Sequence, residues 1–202
     1  MKLHWSPRSP FVRKVMAFAH ETGLAGRIER VRSVVETTRL NPELMRLNPL
    51  NRIPTLGADD GTVLFDSTLI CEYLDELHPG VRLFPEAPGE RWEALRWHAL
   101  GEGMMEIAVL WRNEVLRPQP SGEYLRAYER KILATVGRLE ENAIPLEKAK
   151  ISIGHIAVGC ALGYLEFRFP ELRWRDAHPK LAAWYAEFAR RPSMQETLPK
   201  ED

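Results

Sequence analysis

Cysteine is scarce in this sequence, with two in 202 residues, Cys71 and Cys160. Both lie inside apolar helical patterns and no C-x-x-C pair occurs. That excludes a disulfide-stapled scaffold and a cysteine-based metal site, and it predicts buried thiols in a reducing compartment. An excess of either charge is also missing. Lys+Arg and Asp+Glu both number 28, so the formal net charge is zero. A balanced chain offers no electrostatic footprint for nucleic acid or an anionic membrane surface. Long apolar runs are absent too. The nearest approach, residues 151–167, is interrupted by Ser152, His155 and Glu166 and reads as a buried helix rather than a membrane span. His4, Arg8, Arg13 and Lys14 break up any secretory core near the start, so a cytoplasmic protein is expected. The six histidines, at 4, 20, 78, 98, 155 and 178, show no metal-ligand spacing, and no metal is expected. No repeat or low-complexity tract appears.

What is present divides into two halves. Residues 1–78 mix short strand patterns with helices. Residues 2–5 form a first strand candidate, ended by Ser6-Pro7. Ser9-Pro10 then starts a helix, because Ser is a favoured N-cap and Pro loses nothing in a first turn where its N–H would be unpaired anyway. Phe11, Val12, Val15, Met16, Phe18 and Ala19 make its apolar stripe, and Gly23 stops it. A strand is predicted over residues 28–35 and a short helix over 41–47. A hairpin then pairs residues 54–56 with 63–65 around Asp59-Asp60-Gly61. Asp66-Ser67 opens a helix that His78-Pro79-Gly80 ends. The order β-α-β then β-β-α predicts a four-stranded mixed sheet with helices packed on it. Residues 79–89, rich in Pro and Gly, read as a linker. Residues 90–202 read as helices nearly throughout, beginning with a long one over 90–115 that carries Trp92, Trp97, Met104, Leu110 and Trp111. Tyr124, Tyr128, Ile132, Val136 and Leu139 stripe the next helix.

Four stretches in this order carry a resemblance: "SPRSPFVRKV", "NPLNRIPTL", "FDSTLICEYLDE" and "IAVGCALGYLEFRFP". Together they resemble bacterial serine-type members of the glutathione S-transferase superfamily, over nearly the whole chain. The resemblance implies an α/β plus all-α fold: a thioredoxin-like βαβ-ββα domain, then a helical-bundle domain. It also implies glutathione as cosubstrate, a small apolar electrophile, a homodimer formed by the long helix and the Tyr73 region, and a role in detoxification. A non-catalytic glutathione-binding or protein-interaction adaptor of the same fold is the alternative.

Residue by residue, the resemblance places Ser9 at the glutathione sulfur, with Ser6 as the competing serine. A thiolate at a helix N-terminus is stabilised by free N–H groups and the macrodipole, which lowers a thiol pKa of about 8.5 by one to several units. Ile53-Pro54 stands where the family has a cis peptide whose preceding residue pairs with the cysteinyl backbone. Arg52 either meets the glycyl carboxylate or is a solvated surface arginine. Asp66 and Ser67 open a helix that can hold the γ-glutamyl group, or simply cap it. Phe11, Met105 and Trp111 are expected around the electrophile. One departure stands out: Ser152-x-x-His155 replaces the usual Ser/Thr-x-x-Asp capping box. Losing the reciprocal acid implies a cost of about 1 kcal/mol. On that reading His155 stays neutral, and His155→Asp raises the melting temperature.

Overall fold

The computed structural model describes residues 1–201. Its first half follows the expected order. Strand β1 (Lys2–Trp5) leads to helix α1 (Pro10–Glu21), β2 (Glu29–Arg32), α2 (Pro42–Met45), the hairpin β3 (Thr55–Gly57) and β4 (Val63–Leu64), then α3 (Ser67–Glu76). The sheet order is β2-β1-β3-β4, with β1 and β2 parallel and the other pairs antiparallel. This is the thioredoxin-like arrangement predicted. Strand β2 is shorter than the predicted 28–35. Its only partner, β1, turns away at Ser6-Pro7 after the Ser33 amide has bonded to the Trp5 carbonyl at 2.9 Å. Gly23 and Gly61 take positive φ, +72° and +88°, where a side chain would be strained.

Register gathers the site. His4 lies opposite Thr55, and Leu56 opposite Leu64. The turns at Ser6–Ser9, Arg52–Pro54 and Asp66–Ser67 therefore leave neighbouring strands at one end of the sheet.

The second half is helical: α4 (Pro88–Val115), α5 (Gly122–Glu141), α6 (Ala143–Lys148), α7 (Ile153–Arg168), α8 (Trp174–Ala177), α9 (Pro179–Phe188) and α10 (Pro192–Gln195). Helix α7 is buried along nearly all its length, as its apolar pattern predicts. Against it lies α4, at very short range. A Cβ built on Gly101 would stand 2.5 Å from the Ala157 carbonyl carbon, and one on Gly154 would stand 2.6 Å from the Ala94 oxygen. Backbone thus meets backbone at two crossings. Trp92 and Leu110 of α4 are exposed, Trp92 at 71%. Helix α4 is 28 residues long, and its apolar residues do not share one face.

The two halves are stitched at several points. Asp75 accepts the Leu83 and Phe84 amides at 2.9 and 3.0 Å, and the Ile153 amide bonds to the Leu83 carbonyl at 2.9 Å. The segment expected to be a linker is therefore clasped, with Leu83 and Phe84 buried. Arg191 grips Glu21 through two bonds of 2.7 Å, tying α10 to α1. That pairing and the Ser193 hydroxyl outweigh burial and hold the Glu21 carboxyl below the usual range.

The His155 expectation is overturned. The imidazole does the work assigned to the missing acid: Nδ1 accepts the Ser152 amide at 3.1 Å and lies 2.9 Å from the Ser152 hydroxyl. On its other side Nε2 donates to the Leu146 carbonyl at 2.9 Å. The ring also packs edge-on against Trp97, with centroids 5.4 Å apart. Burial holds its pKa below the ordinary value, so it is a neutral histidine, as expected.

Candidate active site

The first of the three turns puts Ser9 at the N-cap of α1, where its hydroxyl accepts the Val12 amide at 3.3 Å. Ser9 is partly exposed and lines a cleft of ≈ 470 Å³ together with Trp5, Ser6, Arg13 and Leu198; Arg52, Ile53, Pro54, Asp66, Ser67, Phe11 and Trp111 are not part of its wall. Ser6 is differently placed. It is buried, its hydroxyl accepts the Arg8 amide at 3.4 Å, and its carbonyl accepts the Ser9 amide at 3.3 Å. A second cleft, ≈ 570 Å³, sits at the opposite end of the sheet around Met1, Lys2 and Asp59 and contains none of the expected site residues.

In the second turn the Ile53–Pro54 peptide is cis. Its approach is shaped by Asn48, whose side chain donates to the Arg52 carbonyl at 3.1 Å and to Thr55 at 3.0 Å, and accepts the Leu50 amide at 3.1 Å. Asn48 is buried, so these bonds have no competing water and fix the loop. Arg52 is exposed beside it.

The third turn carries another cis peptide, Phe65–Asp66. Asp66 caps α3, accepting the Thr68 and Leu69 amides at 2.9 and 3.4 Å. Ser67 follows at the first helical position, 1% exposed, and its hydroxyl donates to Glu102 Oε1 at 3.1 Å.

Glu102 belongs to a cluster that the sequence reading missed. Lys14 of α1 has a fully enclosed side chain, ion-paired to Glu102 of α4. Its ammonium also meets Thr68 at 3.3 Å and His98 Nε2 at 3.1 Å. Burial and then the Lys14 charge push His98 down to about 3, so the imidazole is neutral and Nε2 accepts from Lys14. Ser67, Thr68, Lys14, His98 and Glu102 thus form one polar network at the start of α3. The available signals were faint: a basic residue inside an apolar helix, and His98 and Glu102 four residues apart on another. The cysteines are inert by comparison. Both are unpaired and fully buried, and burial raises Cys71 strongly and Cys160 to about 11.

Of the three residues expected around an electrophile, Phe11 is partly exposed two residues beyond Ser9. Trp111 is 7% exposed and stacks on Phe169, with centroids 4.2 Å apart. Met105 is 0% exposed and belongs to the core, because it faces inward from α4, so it has no surface to offer a ligand. Among the described residues no group of His, Cys, Asp or Glu is arranged to hold a metal, and no helix is long and apolar enough to cross a membrane.

Comparison with known proteins identifies the fold. Residues 8–77 match the glutathione S-transferase N-terminal domain, and residues 123–187 the glutathione S-transferase C-terminal domain. An uncharacterized GST-like protein of Escherichia coli K12, YibF, is 30% identical over 98% of both chains. A glutathione transferase family member from Pseudomonas fluorescens Pf-5, solved with bound glutathione, is 41% identical over 99% of both chains with a TM-score of 0.95. A second structure of a Pf-5 family member, at 41% identity and a TM-score of 0.90 over the full length of both chains, holds S-(propanoic acid)-glutathione.

Proposed function

Because the chain belongs to the glutathione S-transferase superfamily, we propose that it is a glutathione transferase in which Ser9 holds the glutathione sulfur as a thiolate. The observation that carries this reading is the Ser9 hydroxyl, placed at the α1 N-cap on the wall of an open cleft. It donates a hydrogen bond to the sulfur while the positive end of α1 favours the anion. Ser6, buried and occupied by backbone amides, is the weaker candidate. Ile53, beside cis-Pro54, pairs its backbone with the cysteinyl unit. Asp66 and the backbone amide of Ser67 receive the γ-glutamyl group at the start of α3, while the enclosed Ser67 hydroxyl is held by Glu102, itself paired with Lys14. Arg52 reaches the glycyl carboxylate. The glutathione-bound relative supports glutathione as cosubstrate here.

In the reaction a sulfur lone pair forms the new S–C bond to a small electrophile lying against Phe11 and Trp111. The leaving group departs with its bonding pair, and the thiol proton passes to solvent. The exposed Leu69 of α3 and Trp92 of α4 support a two-fold dimer through that face. The reading places the enzyme in the cytoplasm, acting in detoxification.

The test measures glutathione binding by calorimetry and conjugation of chlorodinitrobenzene by wild type and Ser9→Ala. Loss of the hydroxyl is expected to raise the pKa of the bound thiol by one to two units, followed through thiolate absorbance. Turnover near neutral pH should fall roughly ten- to a hundredfold with affinity kept. Binding without turnover, and with no effect of Ser9→Ala, would favour the adaptor reading.

A further inference from the structure

The cleft that Ser9 borders lies on the β2 side of β1, whereas the turns at Pro54 and Asp66 belong to β3 and β4 on the other side. One wall is α1. Ser9, Arg13, Met16 and His20 follow at steps of four, three and four, so they share one stripe. At 1.5 Å per residue that wall is about 16 Å long. Trp5 of β1 with Arg30 and Arg32 of β2 makes the floor. The segment after α10 closes the third side, and the Lys200 amide meets the Pro7 carbonyl at 3.4 Å at the Ser9 end.

The lining of this trough is cationic. Arg13, Arg30, Arg32 and Lys200 stand on its walls against one carboxylate, Glu196, in a chain whose formal charge is zero. Elsewhere arginines are answered by acids, as Arg191 is by Glu21 and Arg175 by Glu166. Among the described residues Arg13, Arg30 and Lys200 have no carboxylate partner. The Arg30 guanidinium lies over the Trp5 ring, 5.3 Å from its centroid, a contact that uses none of its five donors. Arg13 is 5% exposed. Its Nη2 donates to the Met194 carbonyl at 3.2 Å, while Nε and Nη1 have no acceptor. Nη1 lies over Gly163 rather than in the cleft, so Arg13 acts there through its field and not by contact. A buried charge with no counter-ion is screened little by water and leaves the adjoining cleft positive.

Arg30 and Lys200 stand on different sides of the trough, one on the sheet and one on the C-terminal segment. A ligand that answers both carries an anionic group at each end, and the half-buried Trp5 ring on the floor suits a short methylene chain. We propose that the trough is a binding site for a small, extended dicarboxylic acid that bridges Arg30 and Lys200 within the field of Arg13. Carboxylate is the class that a guanidinium pairs with through two parallel bonds. Its volume of ≈ 470 Å³ lies in the range of small-molecule sites. This site goes beyond the transferase reading and does not require it, since Ser9 and its rival Ser6 are the only residues the two share.

The test titrates the protein by calorimetry at low ionic strength with adipate, with hexanoate as its single-acid counterpart and with adipamide as its neutral isostere. Adipate is expected to bind about tenfold tighter than either, the worth of one charge-assisted pair. Arg30→Gln and Lys200→Gln should each bring adipate down to the level of hexanoate. Both side chains are exposed, so neither change threatens the fold. Adipate that binds no tighter than hexanoate, or whose affinity survives both substitutions, shows only the general attraction of anions to a basic surface and overturns the site. Absence of adipate binding overturns it equally. Glutathione titrated in parallel separates this site from the transferase reading: its affinity is expected to be the same in wild type, Arg30→Gln and Lys200→Gln, and its failure to bind overturns that reading alone.

Discussion

Replacing Gly101 by Ala probes the joint on which the site depends. In an exposed helix the change stabilises by about 0.8–1 kcal/mol, because glycine gives up more backbone freedom on folding. Here the sign should reverse. The added Cβ would lie 2.5 Å from the Ala157 carbonyl carbon, 2.7 Å from the Val158 nitrogen and 2.8 Å from the Ala157 oxygen. Comfortable carbon contacts lie near 3.5–4.0 Å, so one helix must retreat by about an ångström. The obstacle is the backbone of α7, buried on nearly every side, so no flexible side chain can yield. Overpacking of this kind costs about 1–3 kcal/mol and sometimes more. A net loss of about 1–2 kcal/mol is expected, or roughly 2–8 °C in Tm for a chain of this size. Gly103, two residues on, supplies the control. Nothing lies within 4 Å of its Cβ position, and Gly103→Ala should gain about 0.5–1 kcal/mol. Because Glu102 stands between them, displacement of α4 should also weaken its 3.1 Å bond to Ser67 and lower glutathione affinity. Urea denaturation with matched slopes measures both variants. A Gly101→Ala protein as stable as wild type would refute the close crossing of α4 and α7.

Three further outcomes follow from the buried polar groups. His155→Asp should lower stability by about 1–3 kcal/mol in urea titration, since aspartate can still cap α7 but cannot donate to the Leu146 carbonyl, which is left unpaired in the core. His98 and His155 are both held below their ordinary pKa, so the folded state disfavours their protonation while the unfolded chain accepts it near pH 6.5. Their contribution is complete above pH 6.5 and is lost as pH falls below it; at pH 5, His98 alone should account for about 2 kcal/mol, and His98→Gln should flatten that decline in a denaturation series across pH. Glu102→Gln strands the buried Lys14 ammonium without its carboxylate and should destabilise by about 3 kcal/mol, a loss that the added change Lys14→Met largely restores, both read from urea midpoints.

Much of the local structure around the candidate site was legible because its signals are local. Ser9-Pro10, Asn41-Pro42 and Asp66 each start a helix by capping amides within three residues, and such bonds need no distant partner. The alternation of strand and helix patterns likewise limited the first half to one topology. Met105 and Trp92 show the limit of that approach. Both are large apolar residues on one long helix, yet one is sealed in the core and the other stands in solvent, because a 28-residue helix turns its faces toward different surroundings.

The order of elements, the caps and the likeness of four motifs to a known family were settled by the chain's own residues, since each depends on neighbours a few positions apart. The tertiary structure alone decided that Lys14 would meet His98 and Glu102, more than eighty residues away. It likewise decided that His155 would find Leu146 and serve where an acid was expected. Charge and hydrogen-bond balance in an interior depend on which side chains are brought within about 3 Å with water excluded, and no periodicity along the chain encodes that meeting.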